Sequence, residues 1–216
     1  LDYVVTPNHE GYNYIAEQLA SYGYLVISIN ANRGITAGQG ISGDDGLNLA
    51  RGRLILKHMA LWNIWATQGG TPKTLENDVN SFVGKVDFSH VGLFGHSRGG
   101  EGVRAAYNLY HDMGSIWPAR IPKLKMEAIF EIGAVDGQTS RVLDAQDTVW
   151  NQLIPVCDGD VSDFDGIRPF NRMVQTAGQN NSGQKSIYLV YGANHNFFNT
   201  EWQENDSFGC QFHNPL

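Results

Sequence analysis

Val91-Gly92-Leu93-Phe94-Gly95-His96-Ser97-Arg98-Gly99-Gly100 is the stretch on which the fold is decided. A β-branched and apolar run ends in Gly-x-Ser-x-Gly, and a helical pattern follows from about Arg98 to Asp112. In a strand–turn–helix context that pentapeptide puts the serine at the tip of a sharp turn, with its hydroxyl lifted clear of the sheet. The glycines two residues to either side permit strand and helix to pack closely. Ser97 is therefore the candidate nucleophile, and the Arg98 backbone N–H is the candidate oxyanion donor.

Working outward, apolar strand-like runs alternate with helical patterns. Upstream, Tyr14, Ile15, Leu19 and Ala20 fall at helical spacing and stop at Gly23, and Tyr24 to Ile29 reads as a buried strand. Asp44-Asp45 is placed to cap a long helix through Leu47, Ala50, Leu54, Leu61 and Trp65, closed by Gly69-Gly70. Strands are predicted at Phe88 to Phe94, Glu127 to Ile132, Gln152 to Cys157 and Ser186 to Tyr191, with a helix around Ile167 to Val174. This alternation predicts an α/β fold: a mostly parallel sheet with helices on both faces. In such sheets reactive groups collect in loops at the carboxyl ends of the strands.

Composition narrows the function. The chain of 216 residues suits a single domain, 1–216, with 42% hydrophobic and 17% charged residues and a net charge of −7. Disorder does not fit that balance. Lys+Arg number 15 against 22 Asp+Glu, and the basic residues are scattered, which argues against nucleic acid and anionic membrane surfaces as partners. No run approaches the ~18 apolar residues of a membrane span.

A serine needs a base, and imidazole is the usual one near neutral pH. His195 stands in Gly192-Ala193-Asn194-His195, directly after the last predicted strand. His96 is too close to Ser97 in the chain to fold back on it, while His58 and His111 lie within helical patterns and His90 opens a strand. The orienting carboxylate is expected after the penultimate strand, where Asp158-Gly159-Asp160-Val161-Ser162-Asp163 offers three acids. Asp160 is the first choice, because Asp158 directly follows the strand and Gly159 permits a turn toward His195. Asp158 is the alternative acid, Asp136 an outside candidate, and Asp163 reads as a helix cap. Calcium ligation is the other reading of the acidic cluster.

Gly95 to Glu101, Cys157 to Asp163, and Gly192 to Asn199 with Trp202 together resemble the α/β-hydrolase superfamily. The nearest likeness is to its chlorophyllase-like, platelet-activating-factor-acetylhydrolase-like and polyester-hydrolase-like bacterial branch. Gly11 to Tyr24 is similar to the first helix and following strand of that branch. The resemblance spans roughly residues 8–204. It implies a serine hydrolase acting on small-molecule or polymeric carboxylic esters, without metal or organic cofactor. Members carry a His-Gly-type loop after an early strand, which supplies a second oxyanion N–H. Here the first helix starts by residue 11, so the N-terminal strands are expected to come from a preceding segment of a longer chain or from another chain. Trp117, Trp150, Phe164, Phe197 and Phe198 suggest an apolar pocket near the site. Cys157 and Cys210 are expected to form a disulfide, in keeping with a secreted or periplasmic protein.

Overall fold

The computed structural model describes residues 6–32, 35, 40–72, 82–175, 183–202 and 206. Four strands, β1 (Val91–His96), β2 (Met126–Ile132), β3 (Val149–Pro155) and β4 (Lys185–Val190), form one sheet in the order β1-β2-β3-β4. Every pairing is parallel. Around it are α1 (Asn13–Ser21), α2 (Asn48–Gln68), α3 (Arg98–His111), the single turn α4 (Trp117–Arg120) and α5 (Ile167–Gln175). The α/β class with a parallel sheet is thus as the sequence predicts. Among the described residues no helix is long and apolar enough to cross a membrane.

α2 begins where its sequence says it should. Both Asp44 carboxylate oxygens accept first-turn N–H groups, from Leu49 at 2.9 Å and Ala50 at 3.0 Å. Gly69 and Gly70 end it with φ values of 91° and 105°. α2 lies against α3 because Gly52 has no side chain: a Cβ there would stand 2.7 Å from the Ala106 nitrogen. α3 in turn packs on β1 and β2. The core between them holds Leu56, Trp62, Leu93, Val103, Ala106, Ile129 and Trp150. Trp117 and Trp150 belong to this core rather than to a substrate pocket.

Several strand boundaries and one element differ from expectation. β1 starts three residues late and reaches His96, and β3 ends at Pro155 rather than Cys157. Tyr24 to Ile29 is not a strand. Its backbone has no ladder partner among the described residues, and Tyr24, Leu25, Val26 and Ile27 remain 60, 44, 37 and 41% exposed. A β-branched run has the propensity for a strand, but a strand needs a neighbour, and β1 does not lie beside it.

A buried ionic cluster ties these layers together. Arg104 of α3, fully buried, donates to Glu131 of β2 at 3.0 Å and to Asp136 in the following loop at 2.7 Å. Its remaining N–H groups reach the carbonyls of Val135 and Leu143, and Trp150 Nε1 donates to Glu131 at 2.7 Å. Arg172 of α5 joins by donating to both Asp136 oxygens. Burial pushes the Glu131 carboxyl up to about 7, against the pull of Arg104. Asp136 is held below its ordinary value: burial opposes its charge, and the hydrogen bonds from Arg172 and Arg104 outweigh that.

Candidate functional site

β1 delivers Ser97 to the carboxyl edge of the sheet in a strained backbone conformation, φ 56° and ψ −125°. A non-glycine residue held there costs about 1–3 kcal/mol, which the surroundings must supply. They do so with hydrogen bonds. Ser97 N–H donates to Ile132 O at 2.9 Å, and the Ser97 carbonyl accepts from Gly100 N–H at 2.9 Å. Gly95 is sterically required, since a Cβ would fall 2.2 Å from the Gly99 carbonyl oxygen. Gly99 has open space around it. Gly100 does the packing instead, where a Cβ would meet that of Ala134 at 2.4 Å. α3 starts at Arg98, so the Arg98 N–H is among the first-turn donors that find no acceptor within the helix.

The loop after β4 carries His195, 4% exposed. Its Nδ1 lies 2.8 Å from Asp158 Oδ2. The sequence preference for Asp160 is therefore corrected: Asp158 is the carboxylate at Nδ1. Because β3 stops at Pro155, residues 156 and 157 make a turn and Asp158 is already clear of the ladder. Asp158 Oδ1 accepts the N–H groups of Asp160 at 3.0 Å and Val161 at 2.6 Å, which fixes the carboxylate's orientation. Asp160 sits on the other side of the ring, with Oδ2 3.4 Å from Nε2 and its side chain 70% exposed. Asp163 pairs with Arg168, so the acids of this loop do not converge on one point. Asp136 is committed to Arg104 and Arg172.

Burial opposes a charge on His195, but the Asp158 hydrogen bond and the charges of Asp158, Asp160 and Asp206 raise its pKa above the ordinary 6.5. His96 stacks beside it at 4.6 Å between ring centroids and goes the other way, down to about 3, through burial and the proximity of His195. A neutral His96 donates from Nε2 to the His195 carbonyl at 2.9 Å, so it braces the loop rather than sharing its proton chemistry.

Two supporting residues escaped the sequence. Gly133, at φ 48°, leaves the space in which acid and base meet: a Cβ there would lie 3.0 Å from Asp158 Oδ2 and 3.2 Å from His195 Nδ1. Only its position directly after β2 hinted at this. Asp206 accepts N–H groups from Gly159 at 3.2 Å and His195 at 3.3 Å, clasping the acid loop to the base loop. Nothing in its sequence surroundings marks it. The ligand atoms of Asp158, His195 and Asp206 lie within 4.8 Å of one another, near enough to share a metal ion. All four carboxylate oxygens of that set already accept hydrogen bonds from the protein, which fits a proton-handling pair better than a cation site.

Ser97, Arg98, His195 and Asp160 line one cavity of about 1570 Å³, together with His9, Tyr12, Asn196 and Trp202. Phe164, Phe197 and Phe198 do not line it; Tyr12, Phe94 and Phe130 do. Tyr12 stands edge-on to Phe94 at 4.9 Å. Cys157 is buried, and the expected partner Cys210 lies outside the described residues. No protein-family model matches the chain, and no curated protein aligns with it.

Proposed function

We propose that the chain is a serine hydrolase of α/β-hydrolase type that cleaves carboxylic esters through an acyl-enzyme. One observation carries the reading: a serine in a strained strand–turn–helix backbone opens onto the same cavity as a buried histidine whose Nδ1 is held by a buried carboxylate.

In the proposed mechanism neutral His195 takes the proton from Ser97 Oγ at Nε2 as Oγ attacks the ester carbonyl carbon. The carbonyl oxygen becomes an oxyanion facing the Arg98 N–H. Imidazolium at His195 is stabilised by Asp158, which holds the Nδ1 proton throughout. His195 then gives its Nε2 proton to the departing alkoxide, leaving an acyl group on Ser97. Water, activated by the same nitrogen, attacks the acyl carbon, and the proton returns to Oγ as the acid leaves. A peptidase or thioesterase would use the same groups. Secretion and a Cys157–Cys210 bridge belong to the same proposal.

The runner-up is a non-catalytic binding module, favoured by the approach of Asp160 to Nε2, where the serine proton must arrive. A fluorophosphonate probe separates the two. Covalent labelling of Ser97, absent in Ser97→Ala, supports the hydrolase, and a folded protein that stays unlabelled supports the module. For the hydrolase, Ser97→Ala should lose on the order of 10⁶ in turnover. p-Nitrophenyl esters of increasing chain length would then define the acyl preference.

A further inference from the structure

Arg51 of α2 and Arg98 of α3 are both half-buried and both line the cavity that holds Ser97. Among the described residues their hydrogen-bonding partners are all uncharged. Arg51 Nη1 donates to Gly46 O at 2.5 Å and to Asn48 Oδ1 at 3.3 Å, and Arg98 Nε donates to Gln138 Oε1 at 3.3 Å. The fold draws the two heads to one place. Arg98 and Gly102 share a face of α3, one turn apart. A Cβ at Gly102 would fall 2.9 Å from Arg51 Cβ, so Arg51 lies against that same face. The acceptors are neighbours too: Gly46 N–H donates to Gln138 O at 3.0 Å, and a Cβ at Gly46 would stand 2.4 Å from Gln138 Oε1.

Like charges held this close repel. The Arg51 pKa falls to about 10, through burial first and then the Arg98 charge, while Asp44 pulls the other way. Asp44 has little more to offer, since both its oxygens cap α2. Glu101, the acid beside Asn48 and Gln138, is itself engaged: it accepts from the Asn48 side chain and from the N–H groups of Gly137 and Gln138. Each guanidinium carries five N–H donors in a planar fork whose geometry matches a carboxylate. Most of those donors are left for a ligand, and an anion between the two heads would relieve their repulsion.

We propose, resting on the hydrolase reading, that Arg51 and Arg98 bind a free carboxylate on the acyl part of the ester, so that the substrates are hemiesters of dicarboxylic acids. The other end of the site says which part carries the charge. Asp160 Oδ2 lies 3.4 Å from His195 Nε2, the nitrogen that hands its proton to the departing alcohol. An anionic alcohol would be repelled there, so the carboxylate belongs to the acid.

Turnover and binding are measured separately. Mono-p-nitrophenyl esters of adipic and suberic acid are compared with the same esters carrying a methyl cap on the free carboxylate. For at least one chain length kcat/KM should favour the uncapped ester by about tenfold or more, and Arg51→Gln should abolish that ratio mainly through KM. For binding, monomethyl and dimethyl adipate are titrated by calorimetry into Ser97→Ala, alone and with Arg51→Gln or Arg98→Gln added, each variant's folding being checked by thermal unfolding. Monomethyl adipate should bind about tenfold tighter or more, and either arginine substitution should erase the difference. If the binding pattern holds but no ester is turned over, the hydrolase reading falls and the carboxylate site stands. Absence of the preference from binding, or from turnover where turnover occurs, overturns the proposal, as does a preference that survives both arginine substitutions. So does inorganic phosphate that displaces monomethyl adipate and binds more tightly, which would make the ligand a phosphate.

Discussion

Asp158 Oδ2 meets His195 Nδ1 at 2.8 Å across two loops that follow different strands, while Asp160, two residues on, lies nearer the opposite nitrogen. The two acids are therefore given different tasks. Asp158→Asn should lower ester turnover by about 10⁴, the scale found when an orienting aspartate becomes an amide and favours the wrong tautomer. Asp160→Asn should stay within about tenfold of the parent, because an exposed charge is screened. Side-by-side kcat values on one p-nitrophenyl ester decide the matter, and the reverse ranking would return the acid role to Asp160.

Gly133→Ala is expected to preserve the fold and damage the site. Its methyl group would press on both Asp158 and His195, and φ 48° costs a non-glycine residue about 1–2 kcal/mol. A displacement approaching 1 Å costs about 100-fold in rate. Thermal unfolding and kcat measured together test this, and an unaltered kcat would show that the loops yield to the methyl group.

The pH profile follows from the raised His195 pKa. His195 acts as a base when unprotonated, so kcat/KM should climb through a midpoint above 6.5. For stability the sign is opposite: a raised folded-state pKa contributes fully below the unfolded value and is lost as pH rises through the folded one. Asp158→Asn removes the hydrogen bond and charge that raise the pKa, so the residual activity should show its midpoint at lower pH. An unmoved midpoint would detach the limb from His195.

Arg104→Met should be far more destabilising than any change on the cavity wall. It leaves Glu131 and part of Asp136 buried without their cation, and breaking one side of such a pair costs about 3–5 kcal/mol. Urea unfolding measures the loss. A change below about 1 kcal/mol would mean that Glu131 simply takes up a proton, as its elevated pKa allows.

The Cys157–Cys210 bridge should leave no titratable thiol in unreduced, unfolded protein, and its reduction should cost about 2–4 kcal/mol. Two thiols reacting with Ellman's reagent would exclude it.

Much of this was legible beforehand, for identifiable reasons. The element order and the positions of Ser97 and His195 follow from local pattern: apolar runs, glycine stops and a pentapeptide in its proper context. Asp158 rather than Asp160 lies at His195 Nδ1 because β3 ends two residues early at Pro155, and strand ends depend on pairing with a neighbour that sequence does not display. Tyr24 to Ile29 failed as a strand for a related reason, since propensity is local and a ladder is not. Gly133 and Asp206 were invisible because they act across the fold, on groups more than 20 residues distant or in another loop.

The strand order has a consequence for biosynthesis. Among the described residues β2, β3 and β4 each pair with the strand made just before, so these strands are added in sequence at one end of the sheet. Ser97, between β1 and α3, is made before β2, β3 and β4, whereas His195 follows β4 and its clasp at Asp206 comes later still. Under the proposed hydrolase reading, a ribosome-bound intermediate that stops short of residue 195 thus carries the serine without the histidine that would activate it.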